Sequence, residues 1–341
     1  MTEWIDHLAV HGARFASPLH VTDFGQLAAE QQATAKATVV VPLLHLGLIA
    51  CEGADATDFL HNQLTSDVRH LAADRAQLSS WCSAKGRMLA SFHLWRTETG
   101  YWLNPAADLV EATAKRLQMF VLRAKVVLSD QSTNLVQIGL AGPAGEQALT
   151  AAGLPCPADT LATAAFDGGR VLRLSAQRWV IVAESAKAIA LWPQLASQTT
   201  PAGRDSWLWH DIQEGLPLVT LATKEAFVPQ MVNFEKIGGV SFNKGCYPGQ
   251  EIVARTQYLG KVKRHMHRGH STVALQVGDE LFSPAVPDQA CGRIAMIVPS
   301  PTSGWDVLAV VQENAVTAPI AAGAENGPTF TVAAQPACEA V

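Results

Sequence analysis

The residues best suited to chemistry lie together in the octet Lys244–Glu251, which reads KGCYPGQE. Its cysteine, Cys246, directly follows a glycine, and glycine lets the backbone approach a ligand and adopt conformations that other residues avoid. A lysine two positions earlier and a helix predicted to begin near Gly249 both favour the thiolate form of the sulfur. These features indicate a reactive thiol. The alternative is a small buried hydrophobic residue in a tight turn, as most lone cysteines are.

The other cysteines offer no metal or redox motif. Few and scattered cysteines are typical of a reducing compartment, so we predict reduced thiols and a cytoplasmic location. Acidic residues and histidines interrupt the N-terminus, which is therefore not predicted to be a signal peptide. The best membrane candidate, Val39–Cys51, is too short to span a bilayer. The six cysteines are Cys51, Cys82, Cys156, Cys246, Cys291 and Cys338.

The composition is that of a folded, slightly acidic protein. The 341 residues are 48% hydrophobic and 16% charged, which argues against a disordered chain. The formal net charge of −5 argues against a surface that coats nucleic acid or anionic lipid without specificity. The sequence also lacks the G-x-S-x-G motif of hydrolases and the glycine-rich loops that bind phosphate.

One basic run, Lys261–Arg268, has several interpretations. It attracts a ligand with several carboxylates or the phosphates of a nucleic acid, or it is a solvated strand leading into the C-terminal domain. We favour the strand and do not expect direct binding to tRNA; a tRNA affinity that falls steeply with salt would support an RNA-binding module. Among His265, His267 and His270, only the first two share a face of that strand, so we expect no metal site.

The elements that must position these residues fall into three stretches. Residues 1–36 are predicted to be helical and loosely attached. Residues 37–262 alternate between short strands and helices, which is typical of α+β layers. Within them, two strands are joined at Ala84–Arg87, where Gly86 is available for a positive φ. Residues 263–341 consist of short strands separated by turn residues, which predicts a small barrel or sandwich.

The octet and several other segments resemble the signature of the YgfZ family of folate-binding proteins. That signature reads K-G-C-Y-x-G-Q-E followed by an Ala-Arg stretch, and Ala254 and Arg255 follow the octet here. The segment Cys82–Arg87 is similar to the family's C-x-A-K-G-[KR] turn. Further positions that carry the resemblance are Phe227–Gln230, Asn233, Gly238–Phe242, Gly260, Lys263 and Arg264.

The resemblance implies a fold like that of the T-protein (aminomethyltransferase) of the glycine cleavage system. This is an α+β fold of three lobes around a central folate-binding channel, with two lobes in residues 37–262 and a C-terminal β-barrel in residues 263–341. It further implies a role in assembling or repairing iron–sulfur clusters in client enzymes, including one that methylthiolates tRNA. The expected cofactor is tetrahydrofolate or a one-carbon derivative, and the expected partners are iron–sulfur client enzymes or assembly proteins. A maturation factor is therefore expected rather than a classical enzyme.

The resemblance also implies roles for individual residues. Cys246 takes the role of the functional thiol, because the motif cysteine is the family residue most closely tied to function. The candidate folate-binding residues are Gln213, Lys244, Tyr247, Gln250, Glu251 and Arg255.

One of these positions departs from the family pattern. The family and the T-protein commonly have a glutamate in an [IL]-E-A-G stretch, where it accepts hydrogen bonds from the pterin. Here the stretch Ile212–Gly215 has Gln213 at that position. Glu214 comes next, but one helical residue rotates a side chain by about 100°. Gln213 can accept one hydrogen bond and donate another, without the charge that strengthens bonds to the pterin N–H groups.

The alternative function is a folate-dependent aminomethyl or one-carbon transferase. The T-protein has an aspartate that orients the folate nitrogen that receives the one-carbon unit, and Asp108 lies in the corresponding region, with Glu111 nearby. The helix dipole alone also favours an acid in a first helical turn. T-proteins lack the octet cysteine that this chain carries. The two functions therefore differ in whether Cys246 or Asp108 is essential.

Overall fold

The computed structural model describes residues 1–260 and 262–336. It contains two compact units, each made of several chain segments. Unit 1 comprises Met1–Ala56, Leu71–Gln77 and His93–Trp207; unit 2 comprises Thr57–His70, Leu78–Phe92 and the described residues from Leu208 onward.

The helices and strands are numbered in chain order. The α-helices are α1 (Thr2–Val10), α2 (Leu27–Lys36), α3 (Ala56–Gln63), α4 (Val110–Gln118), α5 (Gly145–Ala151), α6 (Ser185–Ala196), α7 (Arg204–Glu214) and α8 (Gln250–Tyr258), and short 3-10 helices cover Ala107–Leu109, Pro229–Val232 and Glu313–Ala315. The strands are β1 (Arg14–Ser17), β2 (His20–Asp23), β3 (Val39–Pro42), β4 (Ile49–Glu52), β5 (Ala76–Cys82), β6 (Met88–Arg96), β7 (Gly100–Leu103), β8 (Val127–Asp130), β9 (Leu135–Ala141), β10 (Thr163–Phe166), β11 (Gly169–Ser175), β12 (Arg178–Glu184), β13 (Thr200–Pro201), β14 (Arg264–Ser271), β15 (Glu280–Phe282), β16 (Gly292–Pro299), β17 (Trp305–Gln312), β18 (Ile320–Ala322) and β19 (Thr329–Pro336).

Unit 1 is organised around a six-stranded sheet with the strand order β10-β11-β12-β9-β3-β13. All neighbouring strands are antiparallel except β13 and β3. Both faces of the sheet are buried, because Val40 of β3 enters one hydrophobic cluster while Val39 and Val41 enter another. This two-sided burial explains why β3 reads as an uninterrupted apolar run.

The N-terminal segment differs from its prediction in two ways. Helix α1 is followed by the antiparallel pair β1 and β2, because Gly12, with φ +93°, and Pro18 interrupt a continuous helix. The segment is also not loosely attached. Trp4 and Leu8 are fully buried in the core of unit 1, and the indole of Trp4 meets that of Trp192 edge-on with ring centroids 5.6 Å apart.

Unit 2 contains the closed barrel β14-β17-β16-β15-β18-β19, and the α+β class with a C-terminal barrel is therefore confirmed. A separate hydrophobic cluster that includes Ile294, Val307 and Phe330 fills the barrel. The turn between β5 and β6 has Gly86 at φ +70°, as the sequence predicts.

Among residues 1–260 and 262–336, no helix is both long and apolar enough to cross a membrane. The three-part division of the chain at residues 36 and 262 stays a prediction.

Candidate functional site

The octet folds as a loop that leads into helix α8. Gly249 precedes the helix with φ +81°, a backbone conformation that favours glycine. A Cβ atom at this position would lie 2.4 Å from the carbonyl oxygen of Ser83 and 2.7 Å from Cα of Gly86. The octet loop therefore packs backbone to backbone against the β5–β6 turn. Two segments that the sequence singles out separately form one structural feature.

Lys244 anchors the start of this loop. Its side chain is buried, and its ammonium group donates hydrogen bonds to the carbonyl oxygens of His61 and Leu64, the latter at 2.6 Å. Helix α3 ends at Gln63, so these carbonyls belong to the end of a helix, where intrahelical donors are missing. A lysine is well suited to that position, because it supplies both hydrogen bonds and positive charge.

The surroundings of the ammonium group lower its basicity. Burial lowers the pKa of Lys244 to about 8, and the nearby carboxylate of Asp67 only partly opposes this effect. The ring of Tyr247 adds a cation–π contact, with its centroid 5.0 Å from Nζ. Lys244 is thus an internal positive charge held by main-chain oxygens and an aromatic face.

A histidine and an aspartate that the sequence analysis did not identify also lie near the ammonium group of Lys244. His61 is buried, and its Nδ1 lies 3.3 Å from Oδ1 of Asp67. Burial and the charge of Lys244 lower the pKa of His61. Burial alone would raise the pKa of Asp67, but hydrogen bonds from His70 bring it below its usual value. His61 and Lys244 are 183 residues apart in the chain, and no local motif connects them.

The thiol of Cys246 is exposed. The interpretation of Cys246 as a buried hydrophobic residue is therefore wrong. Cys51, Cys82 and Cys291 are buried, and burial raises the pKa of Cys82 to about 12. Among the described cysteines only Cys156 is also exposed, and Cys338 lies outside the described residues. Exposure makes Cys246 accessible to a reaction partner in a way that the three buried thiols are not.

The remaining octet residues divide into buried and exposed groups. Tyr247 is buried, burial raises the pKa of its phenol, and its hydroxyl has no hydrogen-bond partner among the described residues. Gln250 stays close to the loop, because its Nε2 lies 3.4 Å from the carbonyl oxygen of Gly245. Glu251 and Arg255 are exposed on α8. The structure thus brings Lys244, Cys246, Tyr247 and Gln250 together, and it leaves the two charged helix residues at the surface.

Gln213 lies near the end of α7 in unit 2 and is half-buried. Nη1 of Arg268 is 3.3 Å from its main-chain oxygen and 3.5 Å from its Oε1. The next residue, Glu214, is exposed. The amide of Gln213 therefore has an arginine as a neighbour.

Asp108 lies in unit 1, in the first turn of the 3-10 helix that precedes α4, and its side chain is exposed. Cys246 belongs to unit 2. The two candidate catalytic residues thus stand on different units.

The histidines near the basic run have separate partners. His265 lies 3.5 Å from Glu313, His267 bonds to the main-chain oxygen of Ala333, and His270 bonds to Asp306. The run itself forms β14 from Arg264 onward, and Lys261 lies outside the described residues.

Comparisons with known proteins agree with this fold. The family model of the GCVT N-terminal domain matches residues 10–171. The tRNA-modifying protein YgfZ of Yersinia pseudotuberculosis (strain IP 31758) is 31% identical over 238 residues, which cover 69% of this chain and 72% of that protein. The tRNA-modifying protein YgfZ of Pectobacterium carotovorum is 30% identical over 260 residues, which cover 74% and 78%.

The solved structure of the glycine cleavage system aminomethyltransferase T from Bartonella henselae is similar in fold. Its TM-score is 0.82 with 17% sequence identity, over 98% of this chain and 97% of that chain. The expected aminomethyltransferase-like fold is thereby confirmed.

Proposed function

Because the chain belongs to the YgfZ family, we propose that it binds tetrahydrofolate or a one-carbon derivative and supports the assembly or repair of iron–sulfur clusters in client enzymes. The clients include an enzyme that methylthiolates tRNA. The observation that carries the proposal is the exposed thiol of Cys246 on a loop that buried Lys244 anchors. The proposal places the protein in the cytoplasm, with client enzymes or assembly proteins as partners and without direct binding to tRNA.

We assign the thiol of Cys246 the role of a transient iron ligand. Its proton is lost to solvent, and the thiolate sulfur bonds to iron until a ligand of the client enzyme replaces it. Stable iron–sulfur clusters are held by several cysteine ligands, and the other described cysteines of unit 2, Cys82 and Cys291, are buried. A passing role in cluster maturation therefore fits this site better than storage of a cluster.

The side chain of Gln213 can be compared with what a bound pterin would need. A pterin edge presents both donors and acceptors, and a half-buried carboxamide offers one of each. The residue therefore fits a pterin, although its bonds are weaker than those of a carboxylate. When bound, the folate would supply the one-carbon group or its acceptor. Gln213 would orient the ring, and Arg268 would restrict how the amide turns.

The folate component predicts a gain of affinity. Calorimetry should show that tetrahydrofolate binds Gln213→Glu roughly tenfold more tightly than the unsubstituted chain, because a carboxylate makes stronger bonds to N–H groups. Arg268 would pair with the new carboxylate and compete with the pterin for it. The gain in affinity from Gln213→Glu should therefore be larger in a chain that also carries Arg268→Gln. Unchanged or weaker affinity in both backgrounds would refute the role of Gln213.

A second candidate function is a folate-dependent aminomethyl or one-carbon transferase. The aminomethyltransferase-like fold supports it, and Asp108, which is exposed, would be the charged group near the folate nitrogen. Carboxylates near a reacting nitrogen orient it and stabilise developing charge. In this alternative Cys246 has no chemical role.

Complementation of a bacterial strain that lacks its YgfZ-type protein tests both functions. We expect the unsubstituted chain and Asp108→Ala to restore methylthiolated tRNA and iron–sulfur enzyme activity, and Cys246→Ala to fail. Cys156→Ala is the matched control, because it removes the other exposed thiol among the described cysteines. Rescue by Cys246→Ala would exclude a thiol function, and failure of Asp108→Ala in the same assay would then favour the transferase.

A further inference from the structure

A basic cleft in unit 2 lies outside the octet and contains neither Cys246 nor any of the six candidate folate-binding residues named in the sequence analysis. Its volume is ≈ 550 Å³, and it is lined by the β5–β6 turn, the segment before the second 3-10 helix, and the barrel. Its charged lining residues are the cations Lys85, Arg87, Arg264 and Arg293 and the acids Glu225 and Glu280.

Two of the arginines are fixed by main-chain oxygens. Nη1 of Arg87 donates to the carbonyl of Ala226 at 2.7 Å, and Nη2 of Arg264 donates to the carbonyl of Ala290 at 3.2 Å. A guanidinium group has five N–H donors, so each of these side chains is held in place by one bond and keeps others for a ligand. An arginine that is oriented in advance loses less conformational entropy when it binds an anion.

The charges in the cleft do not cancel. Arg293 forms an ion pair with Glu280 at 2.9 Å, which neutralises both. Lys85, Arg87 and Arg264 then face a single carboxylate, that of Glu225. This concentration of positive charge occurs in a chain whose formal net charge is −5. A concave wall of one sign raises the local concentration of counter-ions.

We propose that this cleft is a binding site for a small ligand with at least two oxyanion groups, either phosphates or carboxylates. Its volume lies within the range of about 300–1,000 Å³ that is usual for small-molecule sites. Planar guanidinium groups bind both kinds of oxyanion through paired hydrogen bonds. The proposal goes beyond the proposed function, since it needs neither Cys246 nor Gln213.

Binding of two probes to the full chain tests the proposal. Tripolyphosphate and tri-γ-glutamate are titrated by calorimetry at low and at physiological salt, and we expect saturable binding of at least one. Arg264→Gln should weaken it roughly tenfold or more, because a charge-assisted contact is lost. Lys263→Gln removes one positive charge from the neighbouring exposed position, which does not line the cleft, and should have less than about a twofold effect.

Glu225→Gln provides a test that misfolding cannot imitate. The carboxylate of Glu225 lines the cleft and repels an anion, so its removal should tighten binding of the same probe several-fold. Preference for tripolyphosphate would assign the site to phosphates, and preference for tri-γ-glutamate would assign it to carboxylates. The proposal is overturned if neither probe binds, if Arg264→Gln and Lys263→Gln weaken binding equally, or if Glu225→Gln leaves it unchanged.

Discussion

At the scale of single residues, Lys244 explains how a reactive-looking loop is held in place. An ammonium group is costly to bury unless polar partners replace its water, and here two carbonyl oxygens and an aromatic face do so. The same contacts fix the residue two positions before Cys246. We therefore regard Lys244 as a positioning residue for the thiol, acting through the backbone.

This role predicts a loss of stability in Lys244→Met. The methionine keeps the apolar stem but leaves the carbonyls of His61 and Leu64 without their donor, and relief of lysine burial offsets part of the cost. We expect the free energy of unfolding in urea to fall by about 2 kcal/mol. The exposed Lys263→Met is the control and should change it by less than about 0.5 kcal/mol. Equal effects of the two substitutions would mean that Lys244 has no special anchoring role.

The difference in unfolding free energy between the unsubstituted chain and Lys244→Met should also depend on pH, which gives a second measurement of the role of Lys244. Burial lowers the pKa of Lys244 from 10.5 to about 8, so between these values the unfolded chain binds more protons than the folded chain. Stability rises with pH wherever the unfolded state binds more protons. The stability of the unsubstituted chain relative to Lys244→Met should therefore rise as the pH increases through this window. A difference that stays constant with pH would contradict the lowered pKa.

At the scale of elements, the important contact is between the octet loop and the β5–β6 turn. Each segment has a glycine with positive φ, Gly249 and Gly86, and a Cβ on Gly86 would lie only 3.0 Å from Cβ of Ile252 in α8. Glycine is therefore needed at both positions for two reasons, backbone conformation and close approach.

The contact predicts different costs for two glycine substitutions. Gly238→Ala carries only the backbone cost, since φ is +79° and a Cβ there meets nothing within 4 Å; about 1 kcal/mol is expected. Gly249→Ala combines that cost with a Cβ 2.4 Å from a carbonyl oxygen, and should lower the free energy of unfolding by about 3 kcal/mol or more. Urea unfolding of both variants measures the difference. Equal costs would show that the loop and the turn separate without penalty.

At the scale of the whole molecule, charge is distributed unevenly. The chain is acidic overall, yet one cleft of unit 2 collects four cations. The basic run is partly engaged within the protein, since Arg264 and Arg268 donate to Ala290 and Gln213. This engagement supports the preference for a strand over an RNA-binding surface. Arg264 instead lines the basic cleft. The sequence analysis did not predict this cleft, because the other cations that line it, Lys85, Arg87 and Arg293, are distant from Arg264 in the chain.

The sequence by itself determined the α+β class, the C-terminal barrel, the β5–β6 turn and the family, because each depends on local patterns: alternation in strands, glycine in turns and an eight-residue signature. It also singled out Cys246. The tertiary structure decided that this thiol is exposed and that Lys244 holds the end of a helix. It also placed His61 and Asp67 near Lys244 and packed the N-terminal helix into the core of unit 1. Each of these depends on contacts between residues distant in the chain, which periodicity and spacing do not encode.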